Sequence, residues 1–105
     1  MTLLTVSIDK LEGFSNYDTW LVAIKGAAML NDGDQLDHMT GETTAPTEET
    51  AFKEWKTLDR KVVGLIVTNL APTALKGLSR WGWDHNMTAK DTMDFLERTC
   101  KPGWR

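Results

Sequence analysis

The sequence predicts an all-α protein: a small bundle of four to five helices with an extended N-terminal arm. Three observations carry this prediction. Apolar residues recur at helical spacing in several separate segments. Those segments are punctuated by start and stop residues, among them Pro46-Thr47-Glu48, Pro72, Thr88-x-x-Asp91 and Pro102-Gly103. Alternation of the kind that marks a strand is confined to Leu4, Val6 and Ile8, and a lone strand has no obvious pairing partner.

Residues 1–12 are therefore read as an arm packed on helices. Gly13 to Ser15 forms a turn. Ser15 or Asn16 is expected to cap a first helix, with Asp18 placed against the positive end of its dipole. That helix carries Tyr17, Trp20, Leu21, Ile24 and Ala28 as one apolar stripe. Gly26 weakens it by about 1 kcal/mol relative to Ala.

A turn follows at Asn31-Asp32-Gly33-Asp34, then a short helix around Leu36 and Met39 that ends at Gly41. The stretch from Glu42 to Pro46 reads as a polar loop. Thr47, followed by Glu48 and Glu49, is expected to start the longest helix, of about six turns before Pro72. Its apolar stripe is Phe52, Trp55, Leu58, Val62, Leu65, Ile66 and Leu70, and Glu49 and Lys53 form a favourable (i, i+4) pair. Pro72 suits the first turn of the next helix, which carries Leu75, Leu78 and Trp81. The segment 81–86 is a loop with two large aromatics. Thr88-x-x-Asp91 opens a last helix carrying Ala89, Met93, Leu96 and Cys100. The domain division is thus one unit over 1–105: arm 1–12, helical core 13–100 and tail 101–105.

Composition agrees with one folded domain. The chain has 105 residues, 41% hydrophobic and 26% charged, which argues against disorder throughout. Five tryptophans supply large apolar area, some of it for a core and some for a partner surface. The net charge of −3 and the pI near 5.3 make nucleic acid an unfavourable partner for this domain alone. One cysteine excludes an internal disulfide and a cysteine-rich zinc site. No signal-peptide pattern opens the chain and no apolar run approaches a membrane span, so a cytoplasmic or nuclear location without membrane contact is expected. Asn86-Met87-Thr88 fits the glycosylation pattern, but no glycan is expected without a secretory route.

The chemistry-bearing residues do not assemble into a familiar catalytic pattern. Cys100 with His38 or His85 is the one imaginable nucleophile–base pair, and a small buried hydrophobe explains Cys100 better. Asp34, Asp37, His38 and Glu42 offer ligand atoms, but a calcium loop would need Gly where Leu36 stands. No catalytic residue, metal ligand or cofactor is therefore assigned. Lys53, Lys56, Arg60 and Lys61 are a weak candidate nucleic-acid face, diluted by Glu54 and Asp59 and better explained as the wet side of a helix. Trp81 and Trp83 flank Gly82. Residues two apart point to opposite sides of an extended segment, so one can enter the core while the other offers an interface anchor.

Leu11-Glu12-Gly13-Phe14-Ser15-Asn16-Tyr17-Asp18-Thr19-Trp20 resembles the opening motif of copia-type retrotransposon Gag proteins, Leu-x-Gly-x-(x)-Asn-Tyr-x-x-Trp. Three further pieces follow in the family's order. Leu36 to Gly41 resembles its Gly-terminated segment, with Asp37 where Trp is common. Trp55, Asp59, Ile66 and Leu70 stand in the places of its Trp-x-x-x-Asp helix. Thr88-Ala89-Lys90 through Leu96 resembles its last motif, with Met93 replacing Trp.

The resemblance implies a structural, non-enzymatic capsid-type domain that self-associates in virus-like particles, with other Gag chains as partners. It makes Leu11, Gly13, Asn16, Tyr17, Trp20, Trp55, Asp59, Ala89, Met93 and Leu96 fold-defining positions. In that family a second helical domain and an RNA-binding zinc knuckle normally follow. Two alternatives stand beside it: a host-adapted or truncated Gag-derived protein-binding module, and a weak RNA- or DNA-binding helical domain.

Overall fold

The computed structural model describes residues 8–31 and 33–100. Residues 1–7 of the expected arm (1–12), the tail at 101–105 and the turn residue Asp32 lie outside the described residues. Among the described residues five helices run in order: α1 Tyr17–Asn31, α2 Gly33–Thr40, α3 Glu49–Val67, α4 Pro72–Arg80 and α5 Ala89–Cys100. The fold is all-helical, and among the described residues one isolated parallel bridge joins Leu11 and Leu70. Helix α2 touches α1, α3 and α5, and α5 also packs on α3 and α4.

The core collects one stripe from each helix. Trp20, Ile24, Val62, Ile66, Leu96 and Leu11 are essentially sealed from solvent. Burying side chains of this size contributes about 1.5–3 kcal/mol each for the aliphatic members. Trp20 fills the junction of α1 with the end of α3, where its indole N–H donates to the Asn69 carbonyl at 3.0 Å.

Several expected boundaries move, each for a visible reason. Asn16 does not cap α1 with its side chain. Its backbone carbonyl accepts from Trp20 N at 2.9 Å, but its amide turns backwards. Asn16 Oδ1 accepts from Glu12 N and Asn16 Nδ2 donates to the Lys10 carbonyl, both at 2.9 Å. The arm is thereby folded over the start of α1, and Gly13 takes φ of 151° within the connecting turn. Leu11 does find a pairing partner. Its N–H donates to Asn69 O at 2.9 Å, and its carbonyl accepts from Ala71 N at 2.8 Å.

The cap of α3 is Glu48 rather than Thr47. The Glu48 carboxylate accepts from Thr50 N at 3.0 Å and Ala51 N at 2.7 Å, which holds its pKa below the usual carboxylate value. Helix α3 also ends earlier than expected, at Val67. Thr68 Oγ1 bonds the Gly64 carbonyl at 2.7 Å, and Leu70 enters the core from the bridge, not from the helix. On α3, Asp59 and Val63 are buried while Phe52 is 38% exposed. On α4, Ala74 and Leu78 face the core, and Leu75 faces solvent.

Candidate functional site

The most unusual interior feature is a polar joint between α2, α3 and α5. Asp59 lies on the inner face of α3 and is 5% exposed, a position that a lone carboxylate does not tolerate. His38, on α2 and 4% exposed, donates from Nδ1 to Asp59 Oδ1 at 2.9 Å. A carboxylate can only accept here, so the imidazole proton sits on Nδ1. Ala89 N, the first amide of α5, donates to both Asp59 oxygens at 3.3 and 3.2 Å. Asp59 therefore also serves as a remote cap for α5, whose helix dipole favours a negative charge at that end. Thr88 supplies the local part of the cap, its Oγ1 accepting from Asp91 N at 3.1 Å.

Trp55 completes the joint. Its ring lies 4.8 Å from the His38 ring at 37°, and its indole N–H donates to Thr43 Oγ1 at 3.1 Å. This ties the loop after α2 to α3. Gly41, with φ of +82°, makes the turn that allows it. A Cβ there would also lie 2.9 Å from the Lys90 side chain.

The joint is architectural in its geometry. Cys100 is buried at the far end of α5, about 16 Å along the helix from the His38–Asp59 contact near Ala89. The imagined Cys100–His38 pair is not assembled, and His85 lies in the exposed loop before α5. Of the acidic group near α2, Asp34 and Glu42 face outward while His38 turns inward to Asp59. Among the described residues no group of three or more His, Cys, Asp or Glu side chains is placed to hold a metal ion.

Tyr17 marks a second inward group. Its ring sits 6.3 Å from that of Trp20, and its pKa is pushed up to about 12. Burial is the main cause, reinforced by the negative fields of Glu97, Cys100, Asp18 and Asp94. Met93, Ala89 and Leu96 are all buried on the inner face of α5.

The surface candidates separate clearly. Trp81 is the C-cap residue of α4 and is 67% exposed. It borders a shallow groove with Phe95, Arg98 and Thr99, in which the Arg98 guanidinium lies 5.6 Å from the Phe95 ring centre. Trp83 is half-buried against the core, and its indole N–H donates to the Oγ1 of the sealed Thr92 at 3.1 Å. Gly82, with φ of +90°, reverses the chain between the two rings.

The basic residues of α3 are partly engaged along their own helix. Lys53 pairs with Glu49 at 3.7 Å, and Lys56 Nζ lies 5.8 Å from the Phe52 ring centre. Arg60 and Lys61 are exposed. Glu54 shares the shallow groove of Lys53 and Lys61 and weakens its positive field.

Sequence reasoning misses the His38–Asp59 joint. By sequence His38 belongs to an acidic turn and Asp59 to the charged side of a helix. The available clue is spacing: Asp59 falls one turn after Trp55 and three residues before Val62, inside the apolar stripe.

No family model matches the chain, and neither the curated proteins nor the solved structures include a match. Among the described residues no helix is long and apolar enough to cross a membrane.

Proposed function

We propose that this chain is a non-catalytic, capsid-type Gag domain of a copia-like retrotransposon, which associates with further copies of itself in particle assembly. One observation carries the reading. The residues of its four ordered motifs converge on the joints of a single helical core, from Leu11 and Asn16 through Trp20, Trp55 and Asp59 to Ala89 and Leu96. Motifs used in this way mark a scaffold. The chemically versatile groups His38, Asp59 and Cys100 are buried within it. Meanwhile Phe14, Val22, Met29, Leu30 and Trp81 are exposed, which leaves apolar surface for partners.

Sedimentation velocity of the purified chain, from micromolar to near-millimolar concentration, tests the proposal. Concentration-dependent growth in mass is expected. A strict monomer across that range overturns it. A second reading, a host-adapted protein-binding module on the same scaffold, is favoured by the exposed Trp81 beside Phe95 and Arg98. Co-purification with a full-length Gag protein that is lost in Trp81→Ala supports this second reading.

A further inference from the structure

We propose that the outward face of α1 is a two-fold contact between two copies of this chain, with the helices antiparallel and Asp18 of each copy facing Lys25 of the other. This inference rests on the self-association reading and names the surface that performs it.

Helix α1 is apolar on both sides. Trp20, Ile24, Ala27 and Ala28 point into the core. On the opposite side Val22 is 75% exposed, Met29 60% and Leu30 57%, with Thr19, Ala23 and Gly26 between them. A helix that is apolar all round normally has both sides covered. Among the described residues nothing covers the outer side at its middle: a Cβ built at Gly26 would meet no atom within 4 Å.

The charges on α1 select the occupant. Its sequence carries only two, Asp18 and Lys25. They lie two turns apart on the same flank, at the edge of a groove whose other wall, on α2 and α5, includes Met39, Lys90, Asp94 and Glu97. An antiparallel two-fold pairing centred between Leu21 and Val22 exchanges these two positions, so each copy offers an acid to the other's base. Such a contact is self-complementary, as a two-fold interface must be. A parallel pairing would set Asp18 against Asp18 and Lys25 against Lys25. The same antiparallel register carries Phe14, 72% exposed just before α1, towards Met29 of the second copy. A face about 22 Å long and ~10 Å wide, set by the 15 residues of α1, covers on the order of 200 Å², well under the ~800 Å² per partner of a stable dimer. A contact of this size is weak alone and gains strength by repetition in an assembly.

A charge-swap experiment tests the inference. Asp18→Lys and Lys25→Asp are made separately in the full chain, with circular dichroism confirming that each remains folded. Sedimentation is then measured at low salt for each variant and for their equimolar mixture. Each variant alone is expected to self-associate roughly tenfold more weakly than the parent, because two attractive pairs become repulsive. The mixture is expected to recover. There the lysine introduced at position 18 of one variant meets the aspartate introduced at position 25 of the other, while the native Lys25 and Asp18 still pair. Val22→Asp, which sets two carboxylates against each other near the axis, is expected to abolish the contact. If the parent associates but none of these changes weakens it, the α1 contact is wrong and the self-association reading survives. If the single variants weaken association and the mixture fails to recover, the antiparallel pairing is wrong. A parent that stays monomeric overturns both.

Discussion

Removing Asp59 should be the most damaging single change available to a polar side chain in this protein. In Asp59→Ala, His38 Nδ1 and Ala89 N both lose their acceptor. Each becomes a buried donor without a partner, at about 1–3 kcal/mol apiece. The Cβ-only side chain also leaves a small void between α2, α3 and α5. Some relaxation is expected, so the total should fall near 3–5 kcal/mol, the range found when one partner of a buried pair is removed. A domain of this size has only about 5–15 kcal/mol in all. Urea unfolding followed by tryptophan fluorescence is the assay, because the Trp55 ring rests against His38. A double-mutant cycle with His38→Ala should give a coupling of at least about 1 kcal/mol. An Asp59→Ala variant within about 1 kcal/mol of the parent would refute the reasoning, since it would mean the joint carries no net stabilisation.

Three further outcomes follow from the same geometry. Asn16→Ala removes both bonds that fold the arm back and should cost about 1–2 kcal/mol, with faster hydrogen exchange at the Leu11 and Ala71 amides as its signature. Trp83→Ala should destabilise by about 2–3 kcal/mol, whereas Trp81→Ala should stay within about 0.5 kcal/mol, both read from urea midpoints. The chain's one tyrosine makes the third test specific: absorbance near 295 nm should show Tyr17 titrating around pH 12 in the folded protein. An unfolded tyrosine loses its proton near pH 10, so stability from this group is complete below pH 10 and is lost as pH rises towards 12. At about 1.36 kcal/mol per pKa unit the full shift sets a ceiling of ~2–3 kcal/mol, and solvent screening of the neighbouring carboxylates brings the expected loss to about 1–2 kcal/mol.

The helices are legible in the sequence because helical periodicity reports burial directly. Trp20, Ile24, Val62, Ile66 and Leu96 can be placed in the core from spacing alone. The ends are less legible, because caps depend on which polar side chain reaches which amide. By sequence Thr47 is the expected cap, and only the folded chain shows the Glu48 carboxylate on two amides instead. Asn16 has the right identity for a cap but directs its amide to residues 10 and 12, a use that needs the arm's path to be known. Leu11 with Leu70 is a contact across most of the chain, so local pattern carries no trace of it. The same holds for the joint: His38, Asp59 and Ala89 sit on three helices, and their partnership exists only once those helices pack.

The spacing of Trp55 and Asp59 has a physical explanation in that joint. Residues four apart on a helix point the same way, about one turn from each other. Here the two grip one imidazole from two directions: Trp55 covers its face and Asp59 takes its ring N–H. A ring held at face and edge cannot rotate without breaking both contacts, so α2 is fixed against α3 in position and in rotation. Asp59 then passes the constraint on, because the same carboxylate receives the first amide of α5. A hydrophobic residue at 59 could fill the space, but it would leave α5 free to slide along α3, since apolar contact is not directional. The carboxylate fixes where α5 begins. That in turn fixes which α5 side chains, Met93 and Leu96 among them, face the core. Through Ala89, the joint also sets which of them, Arg98 included, reach the surface beside Trp81.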